Sequence, residues 1–280
     1  MTLKAAEILG IENVSFIEPS YDRLIDEANT SLLLSGPAEE ARLLVDNDEW
    51  PLALALKQKG NWRAANFLYR PPPIEAIECF ERLKGKAFEE ERFVWVQAVR
   101  EYYSQFIMNV VPPAVEDFSQ DRMEKVSDLI FHIWGEQEGE ACLDVGSGSG
   151  TGSMALRSLE FIPLAIDNDS SLLSLGLNKR RLEPESTILL DASVASRYIE
   201  PSPFGMVLMA GSINQFNSQV WRAIIDEVLQ ITDNTLITTE TEKEIKAIRG
   251  WAEGLGMKTS VFENNADPIY DRWVCMMEAE

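Results

Sequence analysis

From residue 140 to residue 256 the chain alternates short, mostly apolar segments with segments whose apolar residues recur every three or four positions. EACLDVG, FIPLAID, STILLD, FGMVLMAG and NTLITTE are the strand candidates. GTGSMALRSLE, SSLLSLGLNKRRLE, ASVASRYIE, NSQVWRAIIDEVLQI and TEKEIKAIRGWAEGLG are the helices that follow them in turn. A strand that is apolar throughout is buried on both faces, and a helix after each strand carries the chain back to the same edge of the sheet. The pattern predicts an α/β domain, a mostly parallel sheet covered by helices on both sides. KTSVFENN and YDRWVCMMEA have no helix between them, so a hairpin is expected at one edge.

The first part of the chain has another rhythm. AEEARLLVDN, WPLALALKQKG, NWRAANFLYR, PIEAIECFERLKG and EEERFVWVQAVREYYSQFIMNV repeat apolar residues at spacings of three and four, broken by Gly60, Gly85 and the prolines at 71–73. This reads as a mainly helical cap or substrate-recognition domain over 1–115, ahead of an α/β domain over 116–280. VPPA at 111–114 ends the last of these helices. Ser119 is the expected N-cap of the next one, SQDRMEKVSDLIFHIWG, with Asp121 in its first turn.

With 25 Lys and Arg against 46 Asp and Glu, the formal net charge is -21. Residues 1–140 hold 14 basic and 26 acidic side chains and residues 141–280 hold 11 and 20, so neither half is a basic module. Such a surface repels a phosphate backbone, and nucleic acid and anionic membranes are poor partners for it. Cys79, Cys142 and Cys275 lie far apart with no CxxC pair, which predicts buried thiols in a reducing compartment. No signal-like or bilayer-length apolar run occurs, so the expected location is cytoplasmic. A lone histidine, His132, gives no metal site of the usual spacing, and no metal is implied.

The chemistry concentrates in ACLDVGSGSGTG, residues 141–152. In an open parallel sheet ligands bind beyond the carboxyl ends of the strands, where the strand order reverses. A triphosphate loop needs GxxxxGK followed by Ser or Thr, and the first basic residue after these glycines is Arg157. A dinucleotide turn needs GxGxxG, yet Gly146 and Gly148 lead to Thr151, and Gly148 and Gly150 lead to Ser153. The frame without exceptions is an acidic residue followed by glycines at alternate positions: Asp144, Gly146, Gly148, Gly150.

In that frame residues 117–280 resemble the class I S-adenosylmethionine-dependent methyltransferases, whose first motif is a strand ending in (D/E)xGxGxG. The resemblance implies a Rossmann-like fold, a mostly parallel seven-stranded sheet with a C-terminal antiparallel strand, and S-adenosyl-L-methionine as cofactor. It implies that Asp144, Gly146, Ser147, Gly148 and Gly150 hold the methionine and ribose portions. Asp167, with Asn168 beside it, ends the second strand and is expected to take the ribose hydroxyls, while Asp169 is its rival and a natural helix cap. Asp191 and Ala192 follow the third strand and are expected at the adenine, and Ala210 follows the fourth. By the same analogy Tyr102, Tyr103 or Gln105 face the methionine carboxylate or the acceptor, and Asn214, Gln215 and Phe216 face a polar or apolar acceptor.

What the resemblance implies chemically is in-line displacement of a methyl group that is already activated, so that alignment matters more than a base. No general base declares itself, and the catalytic residues stay unassigned. AGSINQF at 210–216 departs from the (D/N)PP(Y/F/W) loop of adenine-amine methyltransferases, which leaves a small molecule or a protein side chain as acceptor. Two other readings stay open from the residues alone: an NAD-dependent oxidoreductase, and a noncatalytic binding or scaffold protein that keeps the fold. The oligomeric state is not encoded in any motif.

Overall fold

The computed structural model describes residues 4–279. The chain divides into two compact units, Met1–Phe106 and Ile107–Glu280.

The first unit is built on a five-stranded sheet. In chain order it contains α1 (Ala5–Ile8), β1 (Ser15–Phe16), α2 (Glu27–Leu34), β2 (Glu40–Val45), β3 (Pro51–Gln58), β4 (Asn61–Asn66), α3 (Ile74–Arg82), β5 (Lys86–Glu89) and most of α4 (Arg92–Val110). The strand order is β1-β4-β3-β2-β5, with β2, β3 and β4 antiparallel to one another and the two edge strands parallel to their neighbours. Three segments expected as helices are therefore strands: AEEARLLVDN, WPLALALKQKG and NWRAANFLYR form β2, β3 and β4. The expectation of a mainly helical region over 1–115 is corrected accordingly, and the division falls after Phe106, inside α4, rather than at VPPA.

The physical reason lies in β3. Leu52, Leu54 and Leu56 on one face and Ala53 and Ala55 on the other are all fully buried, and a run apolar on both faces has no period to separate strand from helix. The discriminating signal is the turn: Lys59 and Gly60 both have positive φ, 52° and 77°, the two-residue hairpin geometry that pairs Gln58 with Asn61. On one face Leu54, Leu56, Ala65 and Phe67 pack with Leu33 of α2 and Ala76 and Cys79 of α3. Elsewhere in the unit Phe16 meets Trp95, Tyr102 and Tyr103 of α4 at ring-centroid distances of 4.3 to 5.9 Å. A buried ion pair, Arg70 to Glu18 at 2.7 Å, is tolerable because the remaining donors of Arg70 reach the Leu24 carbonyl and the Thr30 hydroxyl.

The second unit follows the expected alternation. After α5 (Gln120–Trp134) come β6 (Ala141–Val145), α6 (Thr151–Ser158), β7 (Ile162–Asp167), α7 (Ser170–Asn178), β8 (Thr187–Leu189), β9 (Ser202–Val207), α8 (Ser218–Gln230), β10 (Thr232–Thr239), α9 (Glu242–Gly254), β11 (Lys258–Glu263) and β12 (Trp273–Glu278). A 3-10 stretch, Ala192–Arg197, stands where ASVASRYIE is expected to be a short helix. The sheet order is β11-β12-β10-β9-β6-β7-β8, and β12 runs antiparallel to both of its neighbours. The chain thus starts in the middle at β6, moves outward to β8, and returns to β9 on the other side. That reversal opens a crevice beyond the carboxyl ends of β6 and β9.

Ser119 caps α5 as expected, accepting from the Arg122 amide. Val126, Leu129 and Ile130 of α5 pack with Ala155 and Leu156 of α6 onto Cys142, Met206, Leu236 and Val274 of the sheet. Ile107 packs with Ala165, Leu173, Leu177 and Leu182. The three cysteines are buried and unpaired. Among the described residues no helix is long and apolar enough to cross a membrane, and no cluster of His, Cys, Asp or Glu could hold a metal ion.

Candidate functional site

β6 ends in Asp144 and Val145 and delivers the chain into the glycine turn at the crevice. Gly146 and Gly148 have φ of 67° and 55°, and a β-carbon built on either meets no atom within 4 Å. Left-handed backbone explains glycine at these positions, and the empty space beside them is a cradle that any other residue would begin to fill. Gly150 differs. It has φ of 95°, and a β-carbon built there would meet the Arg181 and Leu182 side chains at 3.0 Å, so its role is close packing inside the turn. The turn is pinned to β7: the Gly146 and Ser147 amides donate to the Ile166 carbonyl at 2.9 and 3.1 Å, and the Gly148 amide donates to Asp167 Oδ2 at 2.8 Å.

Two carboxylates flank this turn. Asp144 is 1% exposed, and its Oδ2 accepts from the Ser153 hydroxyl at 2.6 Å. Burial pushes its carboxyl up to about 6 against an ordinary 3.8; the Ser153 hydrogen bonds pull it down, and the nearby Asp167 charge pushes it up again. Asp167, at the end of β7, accepts the Asp169 amide on Oδ1 at 2.7 Å as well as the Gly148 amide on Oδ2. Its carboxyl is also raised, chiefly by burial. Each carboxylate oxygen has two acceptor sites, so neither backbone contact prevents Asp167 from taking ligand hydroxyls. Asp169 is the cap of α7, accepting from the Ser171 and Leu172 amides at 2.8 and 3.3 Å.

A cavity of about 180 Å³ opens at the turn. Asp144, Gly146, Ser147 and Gly148 line it, and the Ser147 hydroxyl is buried with no hydrogen-bond partner among the described residues. An orphaned hydroxyl in a polar cavity is a group waiting for a ligand or water. The other walls escaped the sequence reading: Asp117 and Arg122 from the segment before and the first turn of α5, and Leu208 and Met209 after β9. Asp117 Oδ1 accepts the Ser149 hydroxyl at 2.5 Å, and its neighbour Glu116 accepts from Arg181 at 2.8 Å. Met209 has φ of 51°, and its amide donates to Thr238 Oγ1 at 2.7 Å, which in turn donates to the buried Asp271 at 2.5 Å. Asp271 Oδ2 faces the Arg122 guanidinium at 3.4 Å.

Asp117 and Arg122 lie more than twenty residues before the glycine turn, and no motif in the sequence connects them to it. Their tie is tertiary, through the packing of α5 and the long-range partner Asp271.

The remaining expected residues take varied places. Asp191 is exposed beyond β8 and caps the 3-10 stretch by accepting the Ser193 amide at 2.9 Å, with Ala192 next to it half-buried. Asn168 is exposed, and Ala210 is buried with its amide donating to the Thr238 carbonyl at 2.8 Å. Asn214 organises its own loop: its Oδ1 accepts the Phe216 amide and its Nδ2 donates to the Ser212 carbonyl. Gln215 is exposed, and Phe216 is 88% exposed. Tyr103 is buried in the first unit, where its hydroxyl donates to the Glu18 carbonyl at 2.9 Å, and Gln105 is exposed on α4 of that unit. His132 is exposed on α5.

No family model matches the chain, and no curated protein matches it. Solved structures do. Magnesium protoporphyrin IX methyltransferase (ChlM) from Synechocystis PCC 6803, with bound SAM, is 12% identical, with a TM-score of 0.47 over 66% of this chain and 97% of that one. TrmN from Thermus thermophilus is 14% identical, with a TM-score of 0.45 over 56% of this chain and 52% of that one. Precorrin-6y C5,15-methyltransferase from Geobacter metallireducens GS-15 is 12% identical, with a TM-score of 0.44 over 61% and 95% of the two chains. Likenesses of this size say nothing of activity. The strand order, with β12 alone reversed and the glycine turn at the switch point, is a Rossmann-like α/β arrangement.

Proposed function

We propose that the second unit binds S-adenosyl-L-methionine and that the protein transfers its methyl group to a small-molecule or protein nucleophile. The observation that carries this reading is the cavity at the switch point, walled by the glycine turn and Asp144, with the buried Ser147 hydroxyl lacking a hydrogen-bond partner among the described residues and Asp167 ending the adjacent strand. The lining suits a ligand with positive charge: Asp144 and Asp117 outnumber the single guanidinium of Arg122, so the net charge of the cavity disfavours a pyrophosphate. NAD binding has no observation in its favour.

When bound, the cofactor supplies a methyl group on a positively charged sulfur with a neutral leaving group. The chain then has to position and to exclude water. Asp144 and Ser147 hold the methionine end, Asp167 accepts the ribose hydroxyls, and Asp191 with the Ala192 amide meets the adenine. Leu208 and Met209 form the wall on the β9 side, with Ala210 buried behind them, and Asn214, Gln215 and Phe216 lie on the loop that continues from it, on the path an acceptor would take. The first unit, with a core of its own, is assigned to acceptor recognition. Three buried thiols fit a reducing compartment, and we place the protein in the cytoplasm.

Calorimetry with S-adenosylmethionine, S-adenosylhomocysteine and NAD tests the reading, with saturable binding expected for the first two. Binding of NAD alone overturns it. Asp167→Ala is expected to weaken S-adenosylmethionine by about tenfold or more, because a charged acceptor of two hydroxyls is lost. Unchanged affinity in that variant removes the ribose assignment while leaving the cofactor itself in place.

A further inference from the structure

The first unit holds a cavity of about 650 Å³. Its floor is one end of the sheet face on which Ala53, Ala55 and Ala64 are buried. Beyond those alanines the same face turns polar: Glu40, Lys57 and Trp62 stand opposite one another across β2, β3 and β4, with Arg42 two residues along from Glu40. The chain after α1 supplies the other wall. Gly10 lies against Phe88 of β5, where a β-carbon would meet the ring at 2.7 Å, and β1 pairs at the opposite edge of the sheet, so residues 10–14 cross over this face. Glu7, Glu12 and Asn13 line the cavity from that side.

The two cations of the floor are already neutralised. Glu40 accepts from Lys57 at 2.7 Å on Oε1 and from Arg42 at 3.1 Å on Oε2. Both cations also lie by the half-buried Trp62 ring, the Arg42 guanidinium carbon at 4.9 Å and Lys57 Nζ at 6.0 Å from its centre. What the cavity has left to offer is aromatic and acidic. Glu12 is exposed, with no side-chain partner among the described residues, and the Glu7 carboxylate accepts only the Lys4 amide among them. Arg42 displays the chemistry that this indole accepts, a guanidinium laid on the ring and closed by a carboxylate. We propose that the cavity binds an arginine side chain of an extended polypeptide, with the guanidinium against Trp62 and its charge met by Glu12 and Glu7. Ligand sites run from about 300 to about 1,000 Å³, so there is room for the side chain and the backbone that carries it. An anion, by contrast, would find Arg42 and Lys57 taken by Glu40 and two further carboxylates set against it. The site itself needs no cofactor, but its use, to select a protein over a small molecule as methyl acceptor, rests on the S-adenosylmethionine reading.

The probe is a fluorescein-labelled glycine peptide carrying arginine, compared in anisotropy with the same peptide carrying citrulline, which keeps the planar head and loses the charge. With no S-adenosylmethionine present, the unaltered protein is expected to bind the arginine peptide at least about fivefold more tightly. Trp62→Leu and Glu12→Gln are each expected to weaken it about threefold, at unchanged unfolding midpoints. Glu242→Gln makes the same change of charge on α9 of the second unit, and it is expected to leave the affinity as it was. Equal binding of the two peptides, or binding of neither, overturns the proposal, and that measurement needs no variant to fold. So does a loss in Glu242→Gln equal to that in Glu12→Gln, because the net charge of the chain is then the attractant. Tighter binding of an oligouridylate than of the arginine peptide overturns it as well, and makes the cavity an anion site on Arg42 and Lys57. Arginine selectivity in a protein that fails to bind S-adenosylmethionine in calorimetry supports the site and removes the methyl-transfer reading alone.

Discussion

Asp144 carries a conflict between stability and binding. Its folded carboxyl titrates near 6 while an unfolded one titrates near 3.8, so the folded protein holds an extra proton between those values. Stability contributed by the protonated form is fully present below about pH 4 and is lost as the pH rises through about 6, at a cost of up to about 3 kcal/mol. Asp144→Asn removes the buried charge, and it is expected to raise unfolding free energy by on the order of 2 kcal/mol at pH 8 with no gain at pH 4. Denaturant unfolding at the two pH values checks this, and an equal gain at both would show that charge burial is not the cause. The same substitution should weaken S-adenosylmethionine, and the unaltered protein should bind it more tightly as pH rises through about 6. At this scale the sequence is readable where the candidate site is local: Asp144, Gly146 and Gly148 alternate within one short stretch, and the glycines follow from the left-handed turn. Arg122 and Asp117 were not readable, because their membership of the site depends on Asp271 and Ser149, distant in the chain.

The loop after β9 shows how an element far from the turn disciplines the crevice. Glu244, 8% exposed in the first turn of α9, receives the Thr241 amide and hydroxyl on Oε2, completing a capping box. Its Oε1 accepts the Ile213 amide at 2.9 Å, which ties the loop to the helix. One side chain therefore starts a helix and restrains a loop. Glu244→Ala is expected to cost about 1 to 2 kcal/mol of stability and to speed hydrogen exchange at Ile213, while Asn214 keeps its own turn bonds. Protection at Ile213 unchanged in the variant would separate the cap from the loop. Elements of the second unit were legible because each strand is followed by an amphipathic helix, and two periods in succession identify both. In the first unit β2, β3 and β4 lie side by side without helices between them, and β3 is buried on both faces. Only Lys59 and Gly60 mark the hairpin, and a turn signal of two residues was outweighed by apolar spacing.

The whole molecule is acidic, and the charge is unevenly shared. Residues 1–106 contain 12 Lys and Arg against 18 Asp and Glu, and residues 107–280 contain 13 against 28, so the second unit holds -15 of the -21. A surplus of like charge on one compact unit destabilises it through self-repulsion, and the same field attracts a cationic ligand. The two effects respond to salt in opposite directions. Screening over a Debye length that shrinks from about 30 Å at 0.01 M to about 3 Å at 1 M should relieve repulsion and weaken long-range attraction. Thermal unfolding of the ligand-free protein is therefore expected at a higher midpoint in 0.5 M than in 0.01 M sodium chloride. The association rate for S-adenosylmethionine, which carries a net positive charge, is expected to fall over the same range. The stability gain separates repulsion from specific pairing, since exposed ion pairs such as Lys246 to Glu242 and Arg249 to Glu253 lose strength as salt rises. A midpoint that drops with salt would mean that such pairs outweigh the net charge, and an association rate indifferent to salt would remove the field of the second unit from any role in capture.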